Sequence, residues 1–134
     1  MRTASVDLRE LVAIFLGGAA GGALRVGLAS AFPTSDGSWP WVTFTINVAG
    51  VFLLGYFITG LQQRRPLSTY RRPLVGTGFC GAFTTFSTMQ VELLAMLRQG
   101  HYGLAAGYAT ASLVGGYLAM YIATALVRRA AVLA

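Results

Sequence analysis

The 134-residue chain contains no lysine, one cysteine, one histidine and only four acidic residues. Charged residues make up 10% of it, against about a quarter in soluble domains, so it lacks the polar surface that a water-soluble globule needs. Lone Cys80 excludes an intramolecular disulfide and, set in an apolar run, reads as a buried thiol. Lone His101 lies in a short loop and completes no ligand set. No nucleophile–base pair and no metal-ligand cluster appears, which argues against an enzyme. No acid follows Glu10 before Asp36, so the carboxylate that a small proton-coupled drug exporter needs deep in its first span is missing. The formal charge is +6, but the arginines flank apolar runs and form no basic groove, which excludes nucleic acid as the partner and favours anionic lipid headgroups.

Long apolar runs are present instead, and the mean hydropathy is +0.63. Four of them, at about 11–31, 41–61, 73–97 and 102–127, each reach the roughly 20 residues needed to cross a bilayer. The expectation is a single all-α integral membrane domain over residues 1–134, with four transmembrane helices and the third broken near its middle. Turn chemistry, Phe-Pro-Thr-Ser-Asp-Gly-Ser-Trp-Pro, separates the first two spans. A basic loop separates the second and third, and a short link through Gly100 makes the last two a tight antiparallel hairpin. Arg2, Arg9 and Ala29-Ser30-Ala31 have the outline of a cleavable signal, but Arg25 interrupts the apolar stretch, so the segment is read as retained. Eight arginines, Arg2, Arg9, Arg64, Arg65, Arg71, Arg72, Arg128 and Arg129, fall on one side, with Arg98 on the other. By the positive-inside rule, both termini are cytoplasmic and the chain sits in the cell membrane.

Small residues recur where helices approach closely: Gly17-Gly18-Ala-Ala-Gly21-Gly22, and again Gly103 with Gly107. Polar residues inside the spans say more. Asn47 and Thr43 share a face of the second span. The Asn47 amide either clamps two helices or offers two donors to an anion. Tyr108 and Ser112 share a face of the fourth span, where Ser112 is expected to bond back to its own helix. Arg25 and Glu92 are the charged residues within spans. Arg25 reads as an interfacial anchor, and Glu92 as a group near enough to a polar vestibule to stay hydrated.

The third span holds Gly78-Phe-Cys-Gly-Ala-Phe-Thr-Thr-Phe-Ser-Thr-Met89. Gly78 and Gly81 permit a break there, and Thr84, Thr85, Ser87 and Thr88 can satisfy the freed backbone groups. Carbonyls exposed at such a break suit a hard cation; amides, hydroxyls and the positive edges of Phe83 and Phe86 suit a small anion.

Thr43-Phe-Thr-Ile-Asn47-Val-Ala-Gly50, the run Gly81-Ala-Phe-Thr84-Thr-Phe86-Ser-Thr88 and Gly22-Ala-Leu-Arg25 together resemble the CrcB/Fluc family of fluoride channels. The resemblance covers all four spans in order. It implies an antiparallel, dual-topology dimer with two narrow pores, through which fluoride leaves the cytoplasm passively and poisoning is relieved. It also implies a structural sodium ion that is not transported, held by the carbonyls of Gly81 and Thr84 from both subunits. Asn47 would be a pore donor and Phe86 a ring edge facing the ion. Thr43, Ser87, Thr88, Tyr108 and Ser112 match positions along the polar path. Where the family usually has a second phenylalanine, this chain has Met89, which offers no aromatic edge. The arginine bias also departs from the balanced flanks that dual insertion needs, so the expected partner is a second copy or an oppositely biased paralogue forming a heterodimer.

Overall fold

The computed structural model describes residues 7–35, 37–63 and 70–132. Arg2, Asp36, Arg64 and Arg65, which entered the loop and orientation reading, lie outside the described residues. All regular structure among the described residues is helical. Helix α1 is Leu8–Ala31, capped by the Asp7 carboxylate, which accepts from the Arg9 amide at 2.9 Å. Glu10 in its first turn complements the helix dipole, and the helix stops at Phe32, the residue before Pro33. Helix α2 is Trp41–Gln63, entered through the fully buried Pro40.

The next segment departs from plain α-helix. A π-helical stretch, π1, covers Pro73–Cys80 and runs into a single turn, α3, at Gly81–Phe83. Residues 84 and 85 are extended, with ψ of 152° and 103°, before α4 resumes over Phe86–Arg98. Proline at its start and glycines at 76 and 78 favour such wide winding: one removes a backbone donor, the others remove side-chain bulk. Helix α4 ends in a Schellman turn. Gly100, at φ 79°, donates to Leu97, and the His101 amide donates to Met96 at 2.9 Å. Helix α5 then returns antiparallel as Tyr102–Val132.

Two interfaces organise the molecule: α1 lies along π1 and α3, and α2 lies along α5 with α4 between their ends. The α1–π1 contact is backbone to backbone. A Cβ on Gly17 would overlap the Leu74 carbonyl, one on Gly21 the Phe79 carbonyl, and one on Gly78 the Ile14 carbonyl. Gly17 and Gly21 of the α1 run are thus consumed by packing within the chain, whereas a Cβ on Gly18 or Gly22 would meet nothing closer than 3.9 Å. Gly103 meets nothing nearby and Gly107 meets only the Trp39 ring, so the second small-residue pair is not a close-packed face here.

Helices α1, α2 and α5 are long and apolar enough to cross a membrane, with only 17%, 22% and 11% of their apolar windows buried. Phe15, Leu16, Leu24, Leu113, Tyr117 and Leu118 point outward, which in water would be an aggregation hazard and in lipid is solvation. The chain is an integral membrane protein. Residues 73–98 also have the length of a span, but the extended pair at 84–85 divides them into shorter pieces.

Candidate functional site

The interruption frees backbone groups that must find partners, since an unpaired N–H or C=O at membrane depth costs roughly 2–7 kcal/mol. The chain answers for several of them. Thr84 folds back, its amide and its hydroxyl both donating to the Cys80 carbonyl, at 3.0 and 2.9 Å. Thr85 caps α4: its Oγ1 accepts from the Thr88 amide at 3.1 Å and donates to Thr88 Oγ1 at 2.8 Å. Asn47 takes both backbone groups of Thr85. Its Nδ2 donates to the Thr85 carbonyl at 3.1 Å, and its Oδ1 accepts from the Thr85 amide at 2.8 Å. The amide therefore mimics a strand partner, and Gly50 one turn further on leaves the space that the Thr84 methyl occupies. One Nδ2 hydrogen of Asn47 remains, so the side chain has one free donor and not two.

Arg25 gains a partner that its sequence reading did not include. It is half-buried, and its Nε donates to the Ala82 carbonyl at 3.0 Å, a tertiary clasp within the chain. The physical reason is the frayed end of α3, whose carbonyls have no next turn to bond; a guanidinium supplies donors and favourable charge there. The carbonyls of Gly81 and Thr84 take no hydrogen bond from the described residues.

Glu92 is half-buried and takes two protein donors. Thr43 Oγ1 donates to its Oε1 at 2.6 Å and Tyr108 Oη donates to its Oε2 at 2.7 Å. Tyr108 is fully buried, and Met89, 8% exposed, lies in the same core cluster as Tyr108, Met96 and Ala105.

These contacts assemble a pattern. Each of three helices contributes a pair of polar residues four apart: Thr43 and Asn47 on α2, Thr88 and Glu92 on α4, Tyr108 and Ser112 on α5. The α2 pair meets the α4 segment at both levels, Asn47 at Thr85 and Thr43 at Glu92. The result is a polar seam between α2, α4 and α5. Ser112 does not bond back to its helix as expected; its Oγ is buried with no partner among the described residues. Outside the seam, Gly81, Phe86 and Ser87 are exposed on the open face, Phe86 at 69%.

Sequence reasoning missed the Ala82 carbonyl, Thr85 as the partner of Asn47, and Trp39, whose indole nitrogen is buried without a partner among the described residues. Thr85 was legible as a cap from the Thr-x-x-Thr spacing; nothing in the sequence marks Ala82. No cluster of three His, Cys, Asp or Glu side chains occurs among the described residues.

Comparison with known proteins gives a consistent result. The family described as CrcB-like protein, Camphor Resistance (CrcB), matches residues 12–124. The chain is 58% identical over 123 residues, 92% of its length and 93% of the relative's, to fluoride-specific ion channel FluC 1 of Mycolicibacterium paratuberculosis. It is 56% identical over the same shares to FluC 1 of Mycobacterium bovis. It is 41% identical over 90% of its own length and 59% of the relative's to FluC 3 of Streptomyces avermitilis.

Proposed function

The chain belongs to the CrcB family of fluoride-specific channels, and from that premise we propose that it is a fluoride-selective channel, a transport protein and not an enzyme, carrying fluoride passively out of the cytoplasm. The observation that carries the reading is the Asn47–Thr85 pair: an amide spent on holding a helix open, in a chain this similar to fluoride channels. Residues 73–98 are the third of four crossings in chain order, a transmembrane helix broken at 84–85. Such a break survives in lipid only where protein or a watery path covers it.

Fluoride is small and strongly hydrated, so a selective path must replace its water with close, neutral donors that do not trap it. The seam supplies that chemistry. The remaining Asn47 hydrogen, the Thr88 hydroxyl and the unpartnered Ser112 hydroxyl are the donors along it, and Ser87, on the open face, adds a hydroxyl beside them. Thr43 and Tyr108 act through Glu92, holding the carboxylate to one side. Phe86 lies on the open face and reaches the ion only where a second subunit meets that face, its positive ring edge aimed at the anion. Met89 packs beside Tyr108, so the second aromatic station falls to the partner or is absent.

An inverted second subunit completes the assembly. The exposed Gly81 and Phe86 would lie against it, and the two free carbonyls of Gly81 and Thr84 fit a sodium ion shared between subunits: they are hard, neutral oxygens with no other partner among the described residues. Bound there, sodium would supply a fixed positive charge that steadies the crossing and raises the potential beside the path. Both termini are cytoplasmic in this chain and the membrane is the cell (inner) membrane. The arginine imbalance favours an oppositely biased paralogue over a second copy, and relatives numbered FluC 1 and FluC 3 fit a family with more than one gene.

The test is fluoride efflux from liposomes carrying the purified chain in sodium, with chloride efflux as control. Fluoride-selective flux supports the channel and self-assembly; flux that appears only on adding a paralogue supports the heterodimer. Silence from both sinks the reading.

A further inference from the structure

Trp39 is the residue that the seam does not absorb. It ends the α1–α2 connection, where the fully buried Pro40 holds it to extended backbone and its carbonyl accepts from the Trp41 amide at 2.9 Å. Its ring is locked by aromatic edges: Tyr108 at 5.5 Å and 78°, Phe44 at 5.8 Å and 75°. Gly107 on α5 leaves the indole its space. Yet Nε1 is buried with no acceptor among the described residues. An indole nitrogen can only donate, and a buried one ordinarily finds a partner.

The location narrows what that partner is. Besides Trp39 Nε1, the buried side-chain atom left without a partner among the described residues is Ser112 Oγ. The two flank Tyr108, one against its ring and the other a helical turn along α5. At this level of the seam the Thr43 and Tyr108 hydroxyls are already committed to Glu92. Trp39 therefore holds the donor that Glu92 has not taken. A fixed N–H repels cations and gains nothing from an apolar guest; it calls for a small acceptor.

We propose that Trp39 is a fluoride-binding residue at the α1–α2 end of the path, its indole N–H replacing part of the ion's hydration as it passes between solution and the Thr43–Glu92–Tyr108 cluster. The proposal rests on the fluoride-channel reading above. It is tested by following the indole N–H resonances of 15N-labelled protein in the conducting assembly during titration with sodium fluoride, and with sodium chloride as control. The chain has two tryptophans, and a Trp41→Phe variant assigns the Trp39 signal. In parallel, Trp39→Phe keeps an aromatic ring and removes the donor. The expected result is a saturable downfield shift of the Trp39 proton with fluoride alone, and a fluoride flux about tenfold lower in Trp39→Phe at unchanged oligomeric state. A wild-type assembly that conducts fluoride while the resonance stays fixed, with Trp39→Phe conducting equally well, overturns the proposal and leaves the channel reading standing. A wild-type assembly that conducts no fluoride fails at the earlier step.

Discussion

The α1–π1 interface and the α2–α4–α5 seam solve the same problem, holding helices together in lipid, by opposite means. The first removes side chains: Gly17, Gly21 and Gly78 let backbone meet backbone, and any Cβ there collides. The second adds polar side chains and pairs them across helices, Asn47 with Thr85 and Thr43 and Tyr108 with Glu92. The glycine contact is closed and has no spare donors to offer. The seam is over-supplied: after its internal bonds are made, one Asn47 hydrogen and the Ser112 hydroxyl are left over. A buried donor left without a partner calls for an explanation, and the proposed fluoride path supplies one.

The comparison can be broken first on the glycine side, where the largest effect is expected. Gly21→Leu drives a side chain into the Phe79 carbonyl, and folded, monodisperse protein should be lost on size-exclusion chromatography. A variant that purifies normally would show that the α1–π1 approach is not needed. On the seam side, Tyr108→Phe strips one of the two donors from Glu92 while keeping the ring, and fluoride flux should fall about tenfold with the fold intact. Thr85→Val keeps the shape and loses the α4 cap; a destabilisation of about 1 kcal/mol, read as a lower midpoint in thermal melts in detergent, is expected. The smallest effect belongs to Met89→Phe, a buried swap beside Tyr108. It should leave the oligomer unchanged and shift flux by no more than a few-fold, since the position packs into the core and not onto the open face.

The same contrast explains what the sequence discloses. Spacing rules carry the long helices well: α1 and α2 begin and end within three residues of the apolar runs that announce them. The glycine run announces close packing, because only a missing side chain permits it. Glycines followed by four hydroxyl residues at 84, 85, 87 and 88 announce the interruption. What spacing does not carry is the identity of long-range partners. Asn47 and Thr85 lie 38 residues apart, Thr43 and Glu92 49, and Arg25 and Ala82 57. The Arg25 contact is missed because its acceptor is a backbone carbonyl, which no residue type advertises. The unpartnered Ser112 defeats the reading for the complementary reason. A serine in a helix has a local acceptor available by default, and only the packed structure shows that it goes unused.

The central claim is that the interruption in residues 73–98, held by Asn47, is the place where fluoride is handled. Asn47→Asp tests it most directly. The carboxylate still accepts from the Thr85 amide, but it faces the Thr85 carbonyl with no donor and brings a negative charge to the anion path. Fluoride efflux from liposomes should be abolished while the oligomeric state on size exclusion matches the parent. Fluoride flux equal to the parent's in a correctly assembled Asn47→Asp protein would contradict the account.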